Sequence, residues 1–386
     1  MRKLETAMIH AGLLVACVGA HAQTPVPAEK PPEPAPAPVF SIGGFDLTGH
    51  VDVGYTNLRG SGKFVSGLNS RVFDFERNDF NLHSIDLQLA RTPENGFGAL
   101  IDVTLGKDAD TIAAYGTIDR NRGPANGVDK RADLTQAYAH FGAGPLTLIA
   151  GKYVTLSGAE VIKSAGDTNY SRSILFGYAI PFTHTGVRAT YKLSDVVSLA
   201  GGINQGWDAV RDTNSDKTLE FQAAITPGKT MSMLVTGYSG KELVANYPKS
   251  QTNGTRNLLD IVATCSSMDP LTLVLNVDYG TQDGGSASGG KAKWQGIAGY
   301  ANYQFSDQWR LSVRAEYFND KHGYRTGLVQ KWKETTATLA YLLNANLEFR
   351  AEVRGDWSDK EAFLKSDLSS ASKTDRSIGV EVLYKF

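Results

Sequence analysis

The sequence predicts an all-β fold, a transmembrane antiparallel β-barrel of about sixteen strands with short periplasmic turns and long external loops. Three observations predict it: a secretory signal at the N-terminus, a C-terminal segment with alternating apolar side chains, and a regular series of such segments between them. A lipid-facing strand needs an apolar side chain at every second position, and tilted strands of roughly ten residues cross the bilayer.

The C-terminal segment shows the strand pattern most clearly. Ile378, Val380, Val382, Tyr384 and Phe386 share one face, whereas most side chains on the other face are polar or charged. A soluble edge strand could alternate in the same way, but an aromatic final residue on the apolar face favours a barrel. We expect the outer-membrane barrel-assembly machinery to bind this strand through Phe386.

The N-terminus predicts export from the cytoplasm. Two basic residues precede an apolar stretch that ends in Ala20-His21-Ala22, so we predict a signal peptide over residues 1–22. An alternative is a lipoprotein site at Leu14-Val15-Ala16-Cys17, which would make Cys17 a lipid-modified N-terminus. Residues 23–40 are rich in proline and alanine, which predicts an extended periplasmic linker, either a plain spacer or a contact with peptidoglycan or a partner. The barrel is predicted over residues 41–386.

Composition narrows the function classes. The net charge of −1 excludes the excess of basic residues that nucleic-acid binding needs. No apolar run beyond the signal approaches the roughly eighteen residues of a membrane helix. The mean hydropathy of −0.24 is compatible with a barrel, because the lumen and lipid faces of each strand cancel. Only Cys265 remains after signal removal, so no intramolecular disulfide forms.

Sixteen alternating segments follow the linker, separated by connections that are short and long in turn. The short connections carry turn residues such as Pro227-Gly228 and Asp269-Pro270, whereas the long ones are polar and rich in glycine. An even strand number with this asymmetry is typical of bacterial outer-membrane barrels and puts both termini in the periplasm. The predicted strands are 45–55, 80–91, 97–107, 132–141, 146–153, 184–193, 196–206, 218–226, 229–238, 256–267, 271–282, 293–305, 309–318, 331–343, 347–357 and 375–386.

Aromatic residues at strand ends are predicted to lie at the two membrane interfaces, where an amphipathic ring is favoured. They are Tyr55, Tyr153, Tyr191, Phe305, Trp309, Tyr317, Tyr341 and Tyr384.

Strand alternation also predicts which charges face the lumen, and a barrel of this size encloses an aqueous channel. One predicted wall is acidic and the opposite wall basic, which would create a transverse field across the pore. The alternative is that the arginines pair with neighbouring lumen glutamates, because pairing on adjacent strands is sterically easy. The predicted pore-lining residues on the strands are Asp52, Asp86, Asp102, Arg310, Arg314, Arg350 and Arg354.

The connection from Val154 to Thr183 is the longest internal loop, and it combines charged residues with an apolar part from Ile174 to Phe182. Apolar residues in an external loop need a place to be buried. Folding into the barrel would bury them and would place Glu160, Lys163 and Arg172 in the lumen as a constriction. The alternatives are a lid over the rim or packing against a neighbouring subunit.

Three segments resemble a known family: DLTQAYAHF (133–141), GKYVTLSGAEVI (151–162) and NYSRSILFGYAIPFTHTGVRATY (169–191). They are similar to the beta-barrel porin-2 family of outer-membrane porins of Gram-negative bacteria. The resemblance implies a porin-like barrel in the outer membrane without a catalytic motif, and it makes a homotrimer plausible.

Other functions have weaker support. No nucleophile elbow, zinc-protease motif or phosphate loop occurs, and no two histidines have ligand-like spacing, so we predict no enzyme, metal or cofactor. A rim site that pairs His83 or His184 with a distant serine stays open, as does a closed structural or adhesive barrel. A TonB-dependent transporter would need about 22 strands and a plug domain. The sequence therefore predicts a porin through which small hydrophilic solutes or ions diffuse passively, with outer-membrane lipids around it.

Overall fold

The computed structural model describes residues 40–117, 131–212, 214–243 and 253–386. The predicted signal peptide and linker, apart from Phe40, lie outside the described residues. Sixteen antiparallel strands form one closed sheet, in which every strand pairs with its neighbours in the chain and the first pairs with the last. They are β1 (Phe45–Leu58), β2 (Asp79–Arg91), β3 (Asn95–Leu105), β4 (Ala132–Ala143), β5 (Leu146–Val154), β6 (Thr183–Lys192), β7 (Val197–Asn204), β8 (Thr218–Ile225), β9 (Met231–Leu243), β10 (Asn253–Met268), β11 (Leu271–Gln282), β12 (Ala292–Gln304), β13 (Trp309–Asp320), β14 (Gln330–Leu342), β15 (Leu347–Ser358) and β16 (Thr374–Lys385).

All sixteen predicted strands are confirmed, with boundaries that shift by a few residues. The largest difference is in β9, which we predicted to end at residue 238 and which continues to Leu243. Its last residues keep pairing with β10, as far as Leu243 opposite Asn253, although the outward-facing residues Ser239 and Lys241 are not apolar. Main-chain hydrogen bonds therefore extend this hairpin beyond the apolar band.

The barrel closes between β1 and β16. Val53 lies opposite Val382, and Gly49 and Phe386 exchange two main-chain hydrogen bonds with N···O distances of 2.7 and 2.9 Å. A β-carbon on residue 49 would overlap the main-chain oxygen of Asp86 and would come within 2.9 Å of the ring of Phe386, so only glycine fits at this position. The C-terminal residue therefore completes the sheet at the end of the barrel that carries the short turns.

The remaining elements are short. Phe40–Ile42 adds a strand beside the start of β1, and Gly60–Phe64, Phe363–Lys365 and Ala371–Ser372 form a small sheet at the end with the long loops. The described residues include two helices of five residues, α1 (Asp108–Ile112) and α2 (Ile174–Tyr178). Within the described ranges, none of the helices has both the length and the apolar character needed to cross a membrane.

Outward-facing aromatic residues cluster at the short-turn end of β12, β13 and β14. The ring centroid of Trp309 lies 6.4 Å from that of Phe305 and 4.8 Å from that of Tyr341, and all three side chains face outward. Tyr153, which we predicted at an interface, is instead 1 % exposed and lies inside the barrel. Its ring stacks on Arg188, whose guanidinium carbon is 4.1 Å from the ring centroid, so this prediction was wrong.

The apolar core lies inside the barrel, towards the long-loop end. Inward-facing Trp294, Phe318 and Trp332 contribute to it from three consecutive strands, and Leu175 and Phe176 of α2 belong to the same cluster. All five side chains are at most 3 % exposed. Loop residues therefore pack inside the barrel at this level.

Candidate pore and constriction

The connection between β5 and β6, residues 155–182, runs through the inside of the barrel, and we call it the inner loop. Its first part contacts the wall formed by β9 and β10, where Tyr238 accepts the main-chain N–H of Leu156 (2.9 Å) and Asp260 accepts that of Gly158 (3.2 Å). Farther along, the hydroxyl of Ser164 donates to Asp52 on β1. The loop thus crosses the lumen, and it does not form a lid over the rim.

Arg314 on β13 holds the returning part of the inner loop. Its guanidinium lies 2.7 Å from Glu160 of the loop and 3.0 Å from Glu334 on β14, and it donates to the carbonyl oxygen of Ser171 at 2.7 Å. The side chain is completely buried. Buried guanidinium groups need this many partners, because an unpaired charge away from water is costly.

Arg350 and Arg354 on β15 act in the same way. Arg350 pairs with Glu348 (2.7 Å) and Glu381 (2.9 Å) and donates to the carbonyl oxygen of Asp167 (2.7 Å). Arg354 pairs with Asp356 at 2.9 Å and donates to the carbonyl oxygen of Arg172 at 2.8 Å. The arginines of this wall therefore bind main-chain oxygens of the inner loop.

Glutamates of the same wall bind the main-chain N–H groups of the loop. Glu352 accepts those of Tyr170 (2.8 Å) and Ser171 (3.1 Å), and Glu316 accepts that of Ile174 (2.9 Å). Loop backbone that leaves regular structure needs such partners when it is buried. The wall of β13 and β15 therefore presents donors to the loop carbonyls and acceptors to the loop N–H groups.

The predicted basic wall thus points inward, but it is paired and largely covered. Arg314, Arg350 and Arg354 are at most 4 % exposed, and each lies beside at least one carboxylate, which matches the pairing alternative. Glu352, a lumen glutamate of β15, accepts main-chain N–H groups of the loop. Arg310 differs, because its side chain stays 15 % exposed while it contacts Glu348 at 2.5 Å.

The predicted acidic wall meets a lysine of the inner loop. The ammonium of Lys163 lies 2.7 Å from Asp86 on β2 and 3.0 Å from Asp102 on β3, and it donates to Gln88 at 2.9 Å. The two carboxylate side chains are buried, whereas that of Lys163 is 25 % exposed. Two carboxylates from neighbouring strands and one loop cation are therefore brought together in the lumen.

Glu160 and Arg172 stabilise the shape of the inner loop itself. Glu160 accepts the main-chain N–H of Ser173 at 2.6 Å, and Arg172 lies 3.0 Å from Asp167 and donates to the carbonyl oxygen of Ile162 at 2.8 Å. Burial lowers the pKa of Arg172, but Asp167 and Glu160 outweigh it, so the net shift is upward and the guanidinium stays charged.

Two histidines that we considered for a rim site are buried in structural contacts. His83 lies 3.1 Å from Asp108 of α1 and 2.8 Å from the hydroxyl of Tyr170 in the inner loop. The Nδ1 atom of His184 lies 3.1 Å from the carbonyl oxygen of Gly206, and its ring stacks on Tyr238. Neither contact set includes a serine, and the part of the chain that the structure describes contains no group of three or more potential metal ligands.

The predicted pore-lining set left out three residues that complete the site. Glu334 occupies an inward position on β14 that strand alternation alone would have identified, and alternation places Glu381 on the polar face of the C-terminal strand. Tyr170 was noticed only as part of the loop, yet its hydroxyl links Thr56 on β1 (3.0 Å) to His83. That contact depends on the folded path of the loop, which no local pattern encodes.

Comparison with known proteins identifies the family. The profile of the family described as "Putative beta-barrel porin-2, OmpL-like" matches residues 44–386. The chain belongs to this porin family. The resemblance seen in the three sequence segments is thereby confirmed, and the porin is an integral protein of the outer membrane with the fold of a passive channel. No curated protein matches the sequence significantly.

Solved structures share the fold of this porin at low sequence identity. The anion-selective porin from Comamonas acidovorans has a TM-score of 0.61 and 11% identity, with 89% of this chain and 99% of that chain covered. The outer membrane channel DcaP of Acinetobacter baumannii has a TM-score of 0.58 and 14% identity, covering 91% and 100%. The trimer form of the outer membrane protein OmpT of Vibrio cholerae has a TM-score of 0.59 and 11% identity, covering 89% and 99%.

Proposed function

We propose that this porin lets small hydrophilic solutes diffuse past a constriction formed by the inner loop, with a preference for anions. One observation carries the preference: in the ion pairs that Lys163, Arg310 and Lys385 form in the lumen, the partner that water reaches is the cation. Lys163, Arg310 and Lys385 are 25, 15 and 22 % exposed, whereas their carboxylate partners are at most 3 % exposed. The ion selectivity of a pore is determined by charged side chains that line it and that water reaches.

The predicted constriction residues have two proposed roles. Those that keep contact with water line the path, and those that are buried hold the inner loop in place. The first group is Lys163 and Arg310, and the second is Asp52, Asp86, Asp102, Glu160, Arg172, Arg314, Arg350 and Arg354. An anion-selective porin is among the proteins with a similar fold, which supports the proposed preference.

Planar-bilayer recordings of the refolded mature protein test this function. We expect stable conductance steps and, under a salt gradient, a reversal potential of the sign that anion flow produces. A correctly folded, heat-modifiable barrel that stays silent would contradict the channel and favour a closed structural or adhesive barrel. A cation-type reversal potential would contradict the anion preference alone.

We also propose that the porin has no catalytic activity. The support is its porin family and fold, together with the structural contacts of His83 and His184. Incubation of the folded protein with ester and peptide substrates should give no turnover above that of the buffer. Turnover that disappears in a His83→Ala or His184→Ala variant would refute this part of the proposal.

Three further proposals concern the subunit number, the assembly partner and the processing of the N-terminus. A homotrimer is supported by a similar fold that occurs in trimer form, and native mass spectrometry in mild detergent would count the subunits.

Binding of the barrel-assembly machinery to the β16 strand is supported by Phe386, which closes the barrel. Deletion of Phe386 should lower the assembled fraction in cells. N-terminal sequencing of the mature protein would distinguish cleavage after Ala22 from lipidation at Cys17.

A further inference from the structure

Two arginines face outward side by side near the long-loop end of the barrel. Arg59 follows β1 and Arg376 lies on β16, and the main-chain N–H of Arg59 donates to the carbonyl oxygen of Arg376 at 3.0 Å. Both side chains are exposed on the outer surface. Among the residues that the structure describes, no carboxylate lies within ion-pair distance of either guanidinium. Like charges directly opposite each other on adjacent strands are destabilising, so this pair favours an anion between them.

The arginines border a groove of about 490 Å³ on the outer surface of the barrel. Trp357 lies over Gly355 at its floor, where a β-carbon on residue 355 would come within 2.6 Å of the indole. Towards the membrane, the groove is lined by Val353 and Ile378, which are 54 and 59 % exposed. The end of the groove near the long loops is therefore basic and aromatic, and the end towards the membrane is apolar.

A second cavity of about 580 Å³ continues from Arg59 over the rim, with Arg77 and Lys365 among its lining residues. Its lining includes one carboxylate, Asp375, which is buried and accepts the main-chain N–H groups of Gly60 and Arg376, each at 2.8 Å. The two cavities together offer exposed positive charge from the lipid-facing wall to the rim.

We propose that this surface binds the phosphorylated, acylated sugar lipid of the outer leaflet. A phosphate would lie between Arg59 and Arg376, because guanidinium groups bind phosphate oxygens in paired, charge-assisted hydrogen bonds. An acyl chain would cover Val353 and Ile378, and the sugar would extend into the rim cavity beside Arg77. From the rim towards the membrane, this surface is first basic and then apolar, which is the order in which such a lipid carries its phosphate and its acyl chains. A free anion would not contact the apolar part of the groove.

The test is native mass spectrometry of the full mature porin in detergent, titrated with bis-phosphorylated lipid A and with its dephosphorylated form. We expect the phosphorylated form to bind more tightly, and an Arg59→Gln, Arg376→Gln double variant to bind it about thirtyfold more weakly, since each basic residue near an anionic lipid surface contributes roughly fivefold. Lys293 on β12 and Lys321, which follows β13, provide a matched control, because they are joined by the same kind of main-chain hydrogen bond at 3.2 Å. Their double Gln variant should bind normally.

Several results would overturn the proposal. Equal losses in both double variants would indicate general surface charge, and equally tight binding of inorganic phosphate would indicate an ion site. A change in subunit number in the arginine variant would assign this face to a second copy of the chain. Heat-modifiable mobility reports assembly of each variant. If the double variant does not assemble, the single Arg376→Gln variant makes the same test with an expected loss of about fivefold.

Discussion

Arg314 and Glu160 form a buried ion pair that joins the barrel wall to the inner loop. The guanidinium on β13 and the carboxylate of the loop are 2.7 Å apart, with side-chain exposures of 0 and 5 %. Each group also has further partners, Glu334 for the arginine and the N–H of Ser173 for the glutamate. The sequence suggested that the arginines of this wall help to create a transverse field across the pore, but their burial and their contacts make them anchors of the inner loop.

We expect an Arg314→Ala substitution to loosen the inner loop. Removing one partner of a buried ion pair costs about 3–5 kcal/mol, because the remaining carboxylates Glu160 and Glu334 are left uncompensated. Single-channel conductance should rise or become noisy, and the midpoint of thermal unfolding should fall. Lys293→Ala, at a site on the surface of the barrel, is the control and should change neither. An Arg314→Ala channel with normal conductance and stability would show that the loop is held by other contacts.

Selectivity should depend on the exposed cations. We expect Arg310→Gln and Lys385→Gln, alone or together, to move the reversal potential towards that of a cation-preferring pore, because they leave Glu348 with less compensation. The measurement is the reversal potential under a salt gradient, at low ionic strength to limit screening. Lys293→Gln on the outer surface serves as the control. Identical potentials in the wild type and the double variant would rule out these cations as determinants.

Two glycines on neighbouring strands should respond differently to alanine. A β-carbon on Gly280 would overlap the indole of Trp294, which is fixed by a hydrogen bond of 3.0 Å to the carbonyl oxygen of Ala179. Gly280→Ala should therefore cost about 1–3 kcal/mol through overpacking. A β-carbon on Gly299 would meet no atom within 4 Å, so Gly299→Ala should be neutral or slightly stabilising. Thermal unfolding of both variants, followed by the heat-modifiable mobility shift, makes the comparison.

The loop between β1 and β2, which contains Arg71 and Asp74, should lose the stability of its ion pair only in acid. Asp74 lies 2.8 Å from Arg71, which also reaches Asp356 on β15 at 3.2 Å. Burial raises the pKa of Asp74, but Arg71 and Arg354 outweigh it, so the pKa falls below its ordinary value of 3.8. A carboxylate with a lowered pKa stabilises the folded state above its ordinary pKa, and this contribution is lost as pH falls through the folded value.

Asp74 should thus contribute nothing to the pH dependence of the unfolding midpoint between pH 5 and 8. Its stabilising contribution should be lost below about pH 4. An Asp74→Asn variant should be less stable than the wild type at pH 7 and should lose less stability on acidification. If the two proteins lose stability in parallel below pH 4, the ion pair with Arg71 contributes nothing measurable.

The sequence by itself determined the strands, their number and the faces of their side chains. Alternation of apolar and polar residues, as around Ile378, Val380 and Val382, has the period of two that a strand between lipid and lumen requires. The same pattern correctly placed Arg314, Arg350 and Asp102 inside the barrel. It failed for Tyr153, because the strand position allowed either an interface or a contact with Arg188, and that choice depends on a residue of another strand.

The tertiary structure alone decided what those inward charges contact. The path of the inner loop brings Glu160 to Arg314 and Lys163 to Asp86, contacts between residues that lie more than seventy positions apart in the chain. Such pairs follow from many weak contacts of the loop with several walls at once, including the burial of Leu175 and Phe176 among Trp294, Phe318 and Trp332. Local side-chain patterns carry no information on these distances, so the sequence defined the barrel and only the folded loop decided which inward charges meet.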